Sequence, residues 1–196
     1  MDPANGKIYA ISGASMAKIL QENSIRVALG ELAFVEMRDV TAMIVVDPSE
    51  ANVDGGTTLQ LKASVLPEGS AVTWQSSNTS KATVSNKGLV TPVAAGTAVI
   101  TAAITVGGVT YKDVCNVTVP SYTLTKAAAT NGSFTLSPAS SAIAGKEVTI
   151  TATPSDGYVV DEITVMAGET AITVKNNKFT MPAANVTVTV TFKAEG

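Results

Sequence analysis

The chain has 196 residues, of which 45% are hydrophobic, 15% charged and 5% aromatic, with a formal net charge of -3. That is enough chain to bury one large core or two small ones, while charged residues fall short of the roughly 25% usual in soluble domains. No histidine occurs, which removes the commonest general base, triad partner and metal ligand. The 13 Lys and Arg residues are spread thinly in an acidic chain and form no patch for nucleic acid. Cys115 is the only cysteine, so neither an intrachain disulfide nor a thiolate metal cluster can form. An enzyme is disfavoured from the outset.

Residues 1–40 mix helix and strand signals. Ser12 or Ser15 can cap a short helix reaching about Gln21, with Ile11, Met16, Ile19 and Leu20 on one side. Apolar runs at residues 25–29 and 32–37 flank Gly30-Glu31 and predict a hairpin. Forty residues do not readily enclose a core of their own, so this α+β segment is expected to pack on something else. Ile8, Tyr9, Ile11, Met16, Ile19, Leu20, Leu29, Phe34 and Met37 are the residues expected to dock. The start lacks the charged and apolar regions of a secretory signal, and no stretch approaches the ~18 apolar residues of a membrane span. The expectation is a chain folded in a cytoplasm or a mature piece of something longer.

From residue 41 the chain reads as short Thr- and Val-rich strands broken by Gly, Pro, Asn and Asp. Leu59, Leu61, Ala63 and Val65 alternate with polar residues, the period-2 signature of a strand with one buried face. Val72 and Trp74 follow, then Ala82-Thr83-Val84, Leu89-Val90, and a long run over residues 97–106 that includes Ile100. Tyr111, Cys115, Val117 and Val119 share parity on a closing strand, with a break expected at Asp113-Val114. Strands of this length and spacing predict an antiparallel sandwich over residues 41–119, its core holding Leu59, Leu61, Val72, Trp74, Ile100, Cys115 and Val117.

Pro120-Ser121 interrupts the alternation and sets a boundary with a very short linker. Beyond it, Val148, Ile150 and Ala152 share a face and Asp156-Gly157 makes a turn. Tyr158, Val160, Ile163 and Val165 continue the core, with a parity change near Asp161-Glu162. Val186, Val188, Val190 and Phe192 form a last alternating strand, and Pro182 ends the strand of Phe179 and Met181. Residues 121–196 are therefore expected to be a second small β domain.

Chemistry-bearing clusters are few. Asp47, Glu50 and Asp54 form an oxygen-rich group that suggests a weak calcium site, though turns are rich in Asp and the spacing is not that of an EF-hand loop. Asp156 and Asp161-Glu162 invite the same thought and the same dismissal. Ser76 and Lys81 suggest a surface turn rather than a Ser-Lys pair. Asn78, Asn116, Asn131 and Asn185 stand in Asn-X-Ser/Thr sequons, which arise by chance in a Thr-rich chain. No cofactor, catalytic residue or metal ligand set is assigned.

Two stretches resemble known modules. Trp74 with Ser76-Ser77-Asn78, Ala82-Thr83-Val84-Ser85, Gly88-Leu89-Val90-Thr91 and Ala95-Gly96-Thr97-Ala98-Val99-Ile100, between GGTTLQLKASVLP (residues 55–67) and VCNVTV (residues 114–119), resembles the bacterial Ig-like domain of group 2. TNGSFTLSP (residues 130–138), AGKEVTITATPSDGYVVDEITV (residues 144–165) and FTMPAANVTVTVTF (residues 179–192) are similar to the divergent InlB B-repeat family. The resemblance implies an all-β chain of tandem Ig-like β-sandwiches preceded by the short α+β segment, and no enzyme. Such modules are carried by phage capsid, decoration and tail proteins and by bacterial surface proteins. The expected role is thus a virion structural protein, a capsid decoration or head/tail accessory protein. It would be assembled in the host cytoplasm, docked by residues 1–40 on capsid or tail proteins or as part of a lattice, and able to touch a host-surface glycan weakly. The alternative is a bacterial cell-surface adhesin or spacer.

Overall fold

The computed structural model describes residues 41–196; the helix, the hairpin and the docking residues expected within residues 1–40 lie outside the described residues. Seventeen strands, and no helix, make up the described residues. Nine belong to the first unit: β1 (Met43–Asp47), β2 (Glu50–Asn52), β3 (Leu59–Gln60), β4 (Lys62–Leu66), β5 (Thr73–Ser76), β6 (Ala82–Val84), β7 (Leu89–Pro92), β8 (Gly96–Val106) and β9 (Val109–Val119). Eight make the second: β10 (Tyr122–Lys126), β11 (Gly132–Ser137), β12 (Ser141–Ala142), β13 (Glu147–Pro154), β14 (Tyr158–Ala167), β15 (Thr170–Ala171), β16 (Lys178–Thr180) and β17 (Val186–Ala194).

In the first unit the strand order β2-β9-β8-β5 forms one sheet and β3-β7-β6 another, with β1 paired to β4. Leu61 joins β3 to β4 and its N–H donates to the Gly88 carbonyl at 3.0 Å, so the segment stays tied to its sheet between its two partners. The first edge of the chain also divides its pairing. β1 runs antiparallel to β4 (Met43 opposite Leu66), and then β2 runs parallel to β9 (Glu50 opposite Asn116). Ile44, Val46, Leu61, Val90, Ile100, Ile104, Cys115, Val117 and Val119 fill the space between the sheets. Burial alternates along β8 and β9, as the pleat dictates for sheets with one wet face.

One expectation is corrected here. β9 is continuous from Val109 to Val119, paired residue for residue with β8, and has no break at Asp113-Val114. Asp113 sits on the half-buried parity because its carboxylate has a partner there: the Val46 N–H donates to Asp113 Oδ2 at 2.7 Å. A carboxylate on an inward face is tolerated when it satisfies a backbone donor.

The second unit pairs β12-β10-β17-β14-β15 in one sheet and β11-β13-β16 in the other. Between them lies a separate core of Leu124, Phe134, Leu136, Val148, Ile150, Val165, Phe179, Met181, Val186, Val188 and Val190. The parity change expected near Asp161-Glu162 is a β-bulge: the β14–β17 register shifts between Val160 and Glu162.

Candidate functional site

Of the residues expected in the first core, Leu61, Ile100, Cys115 and Val117 are buried, while Leu59, Val72 and Trp74 are half-buried and pack against it. Trp74 lies across Gly88. A Cβ on that glycine would stand 2.8 Å from Trp74 Cζ2 and 3.0 Å from the Leu61 carbonyl oxygen, and φ there is +78°. Gly88 is thus required twice, for a left-handed turn and for room beneath the indole. Burial, and secondarily the Glu50 charge, push the Cys115 thiol up. It stays a neutral hydrophobe rather than a nucleophile.

The oxygen-rich trio is dispersed. Asp47 faces Lys62 across the β1–β4 pair, Glu50 lies on β2, and Asp54 is drawn to the other unit by Tyr122. Among the described residues no group of three His, Cys, Asp or Glu side chains is placed to hold a metal ion. Ser76 Oγ donates to the Ala82 carbonyl at 2.6 Å and accepts from the Asn78 N–H at 3.2 Å, so it fastens a turn. The Lys81 stem lies against Gly96. A shallow depression runs along β2 and β9, lined by Glu50, Ala51, Asn52, Asn116 and Thr118.

The most elaborate construction is the junction between the two cores, which no local motif announces. Val119 ends β9, Tyr122 begins β10, and only Pro120 and Ser121 intervene. The Tyr122 hydroxyl donates to Asp54 Oδ1 at 2.6 Å, spanning the two units. That bond first of all, then burial and the carboxylate charge, raises the Tyr122 pKa, because ionising the phenol would set two anions together. Beside it, two tight turns meet. In one, the Thr57 N–H and hydroxyl both donate to the Asp54 carbonyl, at 3.2 and 2.7 Å. In the other, the Lys146 N–H donates to the Ile143 carbonyl at 3.3 Å, and the Gly145 N–H donates to the Met181 carbonyl at 2.8 Å. A Cβ at Gly55 would collide with the Ala144 carbonyl oxygen and stand 2.9 Å from Ile143 Cδ1, and one at Gly145 would stand 3.2 Å from Gly56 Cα. Backbone therefore packs on backbone through glycines, and Ile143 reaches across to the first core.

The wet faces of the sheets are dominated by threonine, with the exposed valines Val99 and Val114 among them. On β8 and β9, Thr97, Val99, Thr101 and Thr105 stand beside Thr118, Asn116, Val114 and Thr110, with Lys112 the one charge of β9 on that face. On β17, Thr187, Thr189 and Thr191 lie opposite Met166, Thr164 and Glu162 of β14. Neither face holds a deep cleft, and such surfaces suit broad, weak contacts rather than enclosure of a substrate.

Comparison with known proteins accounts for both units. The model of the bacterial Ig-like domain (group 2) matches residues 39–117, and that of the divergent InlB B-repeat domain matches residues 122–196. No match was found among curated proteins. Among solved structures, the chain is similar to domains 1–6 of the surface layer protein SbsC, with 17% identity and a TM-score of 0.32 over 74% of this chain and 22% of that one. It spans only that 22% of the surface-layer fragment's length. It is also similar to a chimeric titin Z1Z2, with 12% identity and a TM-score of 0.28, over 79% of this chain and 99% of that one. The titin I-band fragment I67–I69 gives 12% identity and a TM-score of 0.28, over 76% of this chain and 64% of that one. Among the described residues no helix is long and apolar enough to cross a membrane. The chain therefore belongs to the bacterial Ig-like (group 2) family over residues 39–117 and to the divergent InlB B-repeat family over residues 122–196, two kinds of module typical of surface proteins and of adhesion.

Proposed function

We propose that this chain is a non-enzymatic structural protein of a bacteriophage virion, a capsid decoration or head/tail accessory protein. Residues 1–40 attach it to capsid or tail proteins, and the two sandwiches are presented outward. The observation that carries this reading is the glycine-packed junction, which fastens two surface-type modules to each other as a single presenting unit. A second feature supports assembly inside a host cell. Both cores close without a disulfide, since the one cysteine is a buried free thiol, so folding needs no oxidising compartment. Many copies on a lattice convert weak contacts of the Thr- and Asn-rich sheet faces with a host-surface glycan into useful avidity. A bacterial cell-surface adhesin is the competing role.

Mass spectrometry of purified virions, set against tryptic shaving of intact cells, separates the two. The chain is expected in virions, and a form lacking residues 1–40 is expected to stay folded but to be missing from them. Recovery from shaved cells and not from particles overturns the virion role. Continued incorporation of the shortened form moves the attachment site out of residues 1–40.

A further inference from the structure

In both units a strand near the start lies parallel to the strand by which the chain leaves. It is the second strand, β2, in the first unit, after β1 has paired antiparallel with β4, and the first strand, β10, in the second. In the first, β2 pairs with β9 through Glu50–Asn116, Ala51–Val117 and Asn52–Thr118. The ladder is extended at each end, by the Asn116 N–H donating to the Ser49 carbonyl at 2.8 Å and the Val53 N–H donating to the Thr118 carbonyl at 2.9 Å. In the second, β10 pairs with β17 through Leu124–Val186, Thr125–Thr187 and Lys126–Val188. There the Ala127 N–H donates to the Val188 carbonyl at 2.9 Å, and the Thr123 N–H donates to Asn185 Oδ1 at 2.8 Å. The two ladders belong to different families and have different sheet orders, yet share this arrangement.

Its mechanical meaning follows from geometry. When two strands run parallel and tension is applied at the start of one and the end of the other, they must slide along each other. Every hydrogen bond between them is then strained at once. When strands are pulled apart from one shared end, the bonds break singly. Parallel bonds slant along the strand axis, so sliding loads them near their own direction. Rupture under load is governed by the unfolding barrier, which rises with the number of bonds that must fail together. β9 passes into β10 through only Pro120 and Ser121, so the tension leaving one ladder enters the next, while the Tyr122–Asp54 bond bridges the same step.

We infer that the chain is a load-bearing tether, each unit a shear clamp closed by the parallel pair of an early strand and the exit strand (β2 with β9, β10 with β17), built to hold tension between its two ends. The inference does not depend on whether the far end of that tension is a virion or a cell wall, and the test below reads neither location nor attachment. Single-molecule pulling on the full chain is done in two geometries. In one, handles sit at the two ends of the described residues, at Thr41→Cys and Gly196→Cys. In the other they sit at Met43→Cys and Leu66→Cys, which face each other across β1 and β4 and share one end of that pair. The native Cys115 is buried and does not compete for the handles. The first unit is expected to unfold at a force roughly threefold higher end to end than across the pair, as a three-residue ladder failing together exceeds one failing singly.

Two substitutions aim at the clamps themselves. Ala51 lies midway between the Ser49 carbonyl and the Val53 N–H, both of which face β9, so by alternation its own N–H faces β9 too. Thr125 has the same relation to β17, two residues before Ala127. Ala51→Pro and Thr125→Pro each remove one such donor, and each is expected to lower the rupture force of its own unit alone. Equal forces in the two geometries overturn the inference. So does a folded proline variant that ruptures like the parent. If a proline variant fails to fold, the comparison of geometries still decides.

Discussion

Tyr122 and Asp54 are 68 positions apart, and their bond is the one side-chain hydrogen bond described between the two units. The neutral phenol is the donor, so the folded chain favours it and the pKa lies above the ordinary tyrosine value. The bond therefore contributes fully below the usual range near ~10 and is lost as pH rises through the raised value. Absorbance titration at alkaline pH, comparing the parent with Tyr122→Phe, is expected to show that the missing phenol is a late-titrating one. An ordinary titration of that phenol counts against the bond. The same scale explains what could be read from sequence. Cys115 on an inward parity is legible as a buried hydrophobe, because alternation fixes which way a strand residue points. Asp113 on the same parity looks like a break in the strand, because its partner, the Val46 N–H, lies 67 positions away.

At the scale of elements, β17 is the spine of the second unit, flanked by β10 and β14. Val186, Val188 and Val190 face the core at 2, 0 and 2% exposure, while Thr187 points to solvent. Val188→Ala removes two buried carbons and leaves a cavity, so it is expected to cost about 2–3 kcal/mol. Thr187→Ala on the same strand is expected to cost at most about 1 kcal/mol, the span of strand propensity. Chemical denaturation followed by circular dichroism distinguishes the two. The single tryptophan, Trp74, reports only on the first unit, and its fluorescence should leave both variants unshifted. Equal losses from the two substitutions contradict the assignment of β17's faces. The free side of β14 shows a complementary device. β15 covers that side only at Met166 and Ala167, and the bulge at Val160/Glu162 kinks the rest of an edge that would otherwise be long and flat.

For the whole molecule, the junction decides whether two modules behave as one. Gly55 does not sit in the left-handed region, so a side chain there meets no backbone penalty of its own, and its effect is confined to the contact with Ala144 and Ile143. Gly55→Val is therefore expected to push the turns apart while leaving both buried cores in place. Small-angle scattering should show a broader spread of particle dimensions than for the parent, with an unchanged far-ultraviolet circular dichroism spectrum. Superimposable scattering from the two proteins contradicts a fastened junction. The effect bears on presentation and on load alike, because a slack joint lets the outer unit wander and turns a straight path of tension into a bent one.

The amino-acid order alone determined the all-β character, the two modules and the faces of the main strands. Each of these is set by local alternation, turn residues and short motifs that need no distant partner. Only the tertiary structure decided that Tyr122 meets Asp54, that the turn of Gly55 and Gly56 meets the turn of Ala144 and Gly145, and that β2 and β10 lie side by side and parallel with the exit strands β9 and β17. Those facts depend on which segments the closed sheets bring together, and period-2 patterning records which face a residue takes but not which strand it faces.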